Sequence, residues 1–192
     1  MVNLMDLWLP ILVSTVICFI ASAIIWMALP LHKHDYKDPG NKEGPILDLL
    51  RDHKLDPGVY YVPWCGGKDW KDPANQAKLK AGPWAMLTVQ GGQPNMGKNL
   101  GLWFVHLLIV AVFIAYVTSH AGLVSGSDYL KVFRVAGATA LLAHAGGALP
   151  SCIWMGAPWS HLPGKLIDGV VYALLTAGVF GWLWPHAQIA AN

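Results

Sequence analysis

The chain has 192 residues, 55% of them hydrophobic and only 12% charged, against roughly a quarter charged in soluble domains. The formal charge of +2, with basic residues mixed among acids, excludes a nucleic-acid surface. Cys18, Cys65 and Cys152 form no Cys-x-x-Cys pair and no even framework, so they read as reduced and structural.

In chain order, the first element is an apolar run over residues 7–31. Small residues Ala21, Ser22 and Ala23 could suggest a signal peptide. However, nothing before the run is basic, Asp6 is acidic, and the run exceeds the ~7 to 15 residues of a signal h-region, so a retained span is expected. Further runs cover residues 100–117, 132–154 and 166–184, almost free of charge. At about 1.5 Å per helical residue, roughly 20 apolar residues cross a hydrocarbon core of about 30 Å. Only helices among open structures satisfy their own backbone there. The expected fold is an all-α membrane protein of four transmembrane helices with a small α+β cytoplasmic insertion between helices 1 and 2. Its regions are 1–31 (first span), 32–98 (insertion) and 99–192 (three-helix region).

Of thirteen Lys and Arg residues, ten fall between His32 and Lys98. Lys33, Lys37 and Lys98 lie close to the spans and Lys165 lies in the 3-to-4 loop on the same side, which places that side in the cytoplasm. Lys131 and Arg134 oppose this assignment with two charges. Trp8, Trp182 and Trp184 then belong to the outer aromatic belt, and Trp26, Trp103, Trp154 and Trp159 to the inner one. A bacterial inner membrane with both termini periplasmic is expected.

Within the insertion, residues 45–55 carry Ile46, Leu49 and Leu50 opposite a charged face, the pattern of a short amphipathic helix. Residues 59–64 and 84–90 are β-rich. Between them Asp72 caps a helix with Pro73 in its first turn and Gly82 beyond its end. Trp64, Trp70 and Trp84 either contact the membrane face or a partner, or form a miniature aromatic core. Gly92-Gln93-Pro94-Asn95-Met96-Gly97-Lys98-Asn99 approaches a P-loop. Pro94 removes a backbone donor, Asn99 replaces the magnesium-binding hydroxyl, and an apolar helix follows, so the segment reads as a glycine-rich turn.

His32-Lys33-His34-Asp35 could chelate an ion through two imidazoles on one side of an extended segment. With only two such ligands, a solvated linker is the expectation, and no metal site is assigned. Asp168 is expected to pair with Lys165, three residues earlier. Ionisable residues within spans face protein or cavities, which singles out His106 in span two and His144 in span three. Each lies about 10 Å from its cytoplasmic end at 1.5 Å per residue, so both imidazoles could reach one plane and bind a b-type haem. The alternative is a plain hydrogen bond from each imidazole to a neighbouring helix. His120 follows His106 by fourteen residues, with His186 as its candidate partner. That spacing resembles the paired histidines of dihaem cytochrome b helices, over two residues of one helix, and the resemblance implies haem.

Ala136, Ala140, His144 and Ala148 recur every fourth residue, a smooth stripe interrupted by one imidazole, with Gly137, Gly146 and Gly147 on the adjoining face. Ala-x-x-x-His resembles the surroundings of bacteriochlorophyll-ligating histidines in antenna helices, which implies a pigment. Gly169, Ala173, Ala177 and Gly181 repeat the stripe in span four, where close helix packing is expected. There is no chain of buried carboxylates for proton-coupled transport and no catalytic cluster. Cys65 has no histidine nearby to activate it. The expected function is that of an accessory, structural subunit of a larger inner-membrane complex, in contact with membrane lipids and with other subunits or copies of itself, with no nucleic acid. The rival readings are a small haem- or quinone-linked electron-transfer protein using His106 and His144, or a pigment- or lipid-binding subunit using the His144 stripe.

Overall fold

The computed structural model describes residues 2–67 and 69–186. The Asn3 side chain accepts from the Met5 amide and starts a 3₁₀ turn, Leu4–Leu7, that runs into helix α1, Trp8–Met27. Hydroxyls buried in α1 are satisfied within it, because Ser14 and Thr15 donate back to the Ile11 carbonyl at 3.1 and 2.7 Å. The helix stops four residues short of the expected end. Pro30, which cannot continue a helix, opens instead a second 3₁₀ turn, Pro30–His32.

After the insertion, α4 (Met96–His120) is capped by Asn95, whose Oδ1 accepts from the Lys98 amide at 2.9 Å. The P-loop-like segment is therefore a helix cap, in keeping with the glycine-rich turn expected from its residues. Asp128 caps α5 (Tyr129–Ala145) in the same way through the Leu130 amide. The expected third span over residues 132–154 is present as one long apolar stretch, with an interruption in its helix. Gly146 and Gly147 form a turn, and the chain resumes as α6, Ala148–Trp154. Two adjacent glycines supply neither side-chain packing nor helix propensity, and the continuous apolar pattern concealed the break. After a 3₁₀ turn at Trp159–His161 comes α7, Leu162–Trp182.

Four helical stretches, Leu4–Met27, Met96–His120, Tyr129–Trp154 and Trp159–Trp182, are long and apolar enough to cross a membrane. Apart from Trp154, they belong to one unit, residues 1–36, 95–153 and 157–192. Its core joins Leu7, Ile11, Ala111, Ile114, Val132, Ala136, Ala140, Ala173 and Phe180 from all four helices. The closest approach is between α5 and α7: a methyl added at Gly137 would lie 3.1 Å from Ala177 Cβ, and one at Gly169 only 2.7 Å from Ala145 Cβ. Small residues let two backbones meet and gain dispersion contacts, which matters most where no water drives burial.

The second unit comprises residues 37–94 and 154–156. Helix α2 (Glu43–His53) ends at Lys54 in the left-handed region. Strands β1 (Gly58–Val62) and β2 (Ala85–Val89) pair antiparallel, with Tyr60 opposite Leu87. Between them runs α3 (Pro73–Ala81), capped by Asp72 through the Ala74 amide at 2.9 Å and closed by Gly82 at φ 57°. Trp64, Trp70 and Trp84 are all exposed, so they build no miniature aromatic core.

Candidate functional site

Two polar features gather where α1 ends and α7 begins. The first is His32. The Pro30–His32 turn folds its imidazole flat against the Trp26 indole, with centroids 3.9 Å apart and planes 4° from parallel. Nδ1 lies 2.7 Å from Asp35 Oδ2, and Nε2 lies 3.1 Å from Asp168 Oδ2 on α7. Only 6% of His32 is exposed, so for this residue the expectation of a solvated linker fails, while Lys33 and His34 are exposed. His34 is exposed while His32 is buried, so the two do not form the chelating pair considered from the sequence. Among the described residues no three or more His, Cys, Asp or Glu side chains are arranged so that they could hold a metal ion. Burial disfavours the imidazolium, yet hydrogen bonds and charge from Asp35 and Asp168 more than offset it and raise the His32 pKa above its ordinary value. With a carboxylate at each nitrogen, both nitrogens donate.

Asp168 is itself buried, and among the described residues it pairs with His32, not with Lys165. The sequence offered the nearer partner by helix spacing; the fold supplied one 136 residues away.

The second feature is a cleft of about 370 Å³ bordered by Trp26, Trp103, His144, Gly147, Lys165 and Tyr172, with Asp168 at its edge. That volume lies within the range of small-molecule sites, about 300–1,000 Å³. Trp103 is fixed by α1: its indole donates to Ser22 Oγ at 2.9 Å, and Ser22 donates to the Phe19 carbonyl. Tyr172 is 4% exposed, and its hydroxyl closes no hydrogen bond among the described residues. His144 borders both this cleft and a small polar void of about 10 Å³ lined by Ser14, Thr15, Cys18 and Thr176. Such a void is about the size of one water. Cys18 Sγ lies 3.4 Å from Thr176 Oγ1 beside it.

His106 and His144 are linked through other rings. His106 stacks on Trp103 at 5.2 Å, Trp103 meets Tyr172 at 6.4 Å, and Tyr172 and His144 meet in a T-shaped pair at 5.4 Å. A bis-imidazole haem needs both ligands at one cavity, but among the residues bordering the cleft only His144 is present; His106 lies on the exposed face of α4. Among the described residues, this cleft alone does not bring the two imidazoles together. His120 donates from Nδ1 to the Tyr116 carbonyl at 2.8 Å, the ordinary satisfaction of a helix-end histidine. No described hydrogen bond or ring contact joins it to His186.

No family model, curated protein or solved structure matches the chain. The site must therefore be read from its own chemistry. The small residues of the sequence stripes divide between two roles. Ala136, Ala140, Gly169, Ala173 and Ala177 are buried within the helix bundle, and Ala148 is buried at the cleft wall. Gly181 faces Tyr129, whose ring would lie 2.7 Å from an added methyl. The residues that sequence reasoning missed are Trp26, Trp103, Tyr172 and the clamped His32. The available signal was Asp168 itself, an acid within an apolar segment that needs a cation or donor at its own depth.

Proposed function

We propose that this chain is an accessory, structural subunit of a bacterial inner-membrane complex, docked on another membrane protein through the outward face of α4. The observation that carries the reading is His106. It stands ten residues from the start of α4, about 15 Å along the axis, on an exposed stripe that continues through Ile109, Phe113 and Tyr116 to His120. Ionisable side chains in spanning helices almost always face protein or a cavity, yet this one is exposed beside the Trp103 ring, with no hydrogen bond among the described residues. A partner helix with a polar group at that depth would satisfy the imidazole and cover the apolar residues beside it. Membrane lipids cover the remaining faces.

The excess of Lys and Arg between His32 and Lys98 supports a cytoplasmic location for the second unit, with both termini periplasmic. Cys65, partly exposed in that unit, gives the topology test: a membrane-impermeant maleimide should label it only after the inner membrane is opened. Native mass spectrometry after mild solubilisation tests the docking. The expected particle contains this 20.8 kDa chain with a different membrane subunit at fixed stoichiometry, released by His106→Leu. A lone chain, or multiples of its own mass, would overturn the proposal.

A further inference from the structure

We infer that the cleft bordered by Trp26, Trp103, His144 and Tyr172 binds the ring of a lipid-soluble quinone-type ligand. This does not depend on the docking of α4, since the cleft lies within one chain.

Four observations carry the inference. First, the lining suits a flat ring: the Trp26 and Trp103 indoles border the cleft together with Ala143, Gly147 and Ala148, which have almost no side chain. A methyl added at Gly147 would meet nothing within 4 Å, so the space beside it is open. Secondly, the indoles already have imidazole partners, His32 on Trp26 and His106 on Trp103, which hold them in place before any ligand arrives. Thirdly, the lining includes polar groups that make no side-chain hydrogen bond among the described residues. The Tyr172 hydroxyl neighbours Ser22 and Trp26 without closing a hydrogen bond, while Ser22 Oγ already donates to Phe19 and accepts from Trp103. Neither nitrogen of His144 takes part in a side-chain hydrogen bond among the described residues. A ring oxygen at this end would give the hydroxyl an acceptor and the imidazole a partner, removing the cost of leaving a buried donor unmade.

Fourthly, the vertical order of groups selects among ligands. Lys165, which a phospholipid phosphate would seek, lies at the start of α7, whereas Tyr172 is seven residues further in, about 10 Å along the axis. A headgroup phosphate held by Lys165 would leave Tyr172 unpaired. The Asp168 carboxylate nearby is already held by His32, so it does not supply a cation site. A neutral carbonyl or hydroxyl on a flat ring, with an apolar tail left in lipid, answers all four observations.

The test uses the full chain in lipid nanodiscs, titrated with a decyl-tailed benzoquinone and compared with nanodiscs lacking protein. Saturable binding at one site per chain is expected. Tyr172→Phe should weaken it by about 3- to 10-fold, the range of one hydrogen bond. Gly147→Leu should abolish it by filling the slot while retaining the wild-type elution profile and melting temperature within a few degrees. Binding no greater than partition into empty nanodiscs would overturn the inference. So would saturable binding indifferent to both substitutions, or a tightly held phospholipid that Gly147→Leu releases and the quinone cannot displace.

Discussion

Replacing His32 by alanine should unfasten the end of α1 from α7. The substitution removes two contacts with carboxylates, at 2.7 and 3.1 Å, each of a kind worth about 1.5–3 kcal/mol. It also removes a stacked pair with Trp26, worth about 0.5–1.5 kcal/mol. The three are coupled, so their sum overstates the loss; about 3 kcal/mol is expected. For a chain of this size 1 kcal/mol moves the melting temperature by about 2–4 °C, so His32→Ala should melt about 6–12 °C lower. The effect also has a pH signature. The folded pKa of His32 is raised above 6.5, so the folded state binds the proton more tightly than the unfolded chain does. Its stabilisation is full below the unfolded pKa and is lost as pH rises through the folded one. The gap between wild type and His32→Ala should be widest near pH 5.5 and narrow by pH 9. The groups facing the ring are Asp35 and Asp168, with Trp26 over its face. Asp168→Asn should flatten the pH dependence while keeping shape. Scanning fluorimetry in one detergent across that range is the assay. Equal melting of the two proteins, or a gap that widens with pH, would refute the reasoning.

Gly169→Ala should destabilise by about 1–3 kcal/mol, read as a lower melting temperature, because the new methyl meets the Ala145 Cβ at 2.7 Å and its backbone at 3.1 Å. Gly181→Ala meets only the edge of the Tyr129 ring, which can turn aside, and should cost less by the same measure. Among the thiols, Cys65 should react with maleimide in the folded protein. Cys18 and Cys152, 2% and 6% exposed, should react only after denaturation, which mass spectrometry of labelled peptides would report.

Local chemistry made much of the architecture legible. Asp72, Pro73 and Gly82 bracket α3 because cap, first-turn proline and left-handed glycine each act within a few residues. The apolar runs marked four long helices because bilayer thickness sets a minimum length. What escaped depended on distant partners. Asp168 looked self-sufficient beside Lys165, and His32 looked solvated among Lys33, His34 and Asp35, because neither neighbourhood reveals that the two residues meet. The cleft escaped for the same reason: Trp103 reads only as part of an aromatic belt and nothing singles out Tyr172, and only packing brings the two to one cleft. The break at Gly146 and Gly147 was hidden by alanines on both sides that fit either a long helix or two shorter ones.

The His32 clamp also sets an order of events during synthesis. Its carboxylate partner on α7 is 136 residues further along the chain; at about 5–20 residues per second, that partner emerges about 7–27 s later. Through that interval the ring can be held only by Asp35 and Trp26. The end of α1 gains its polar tie to α7 only when Asp168 arrives.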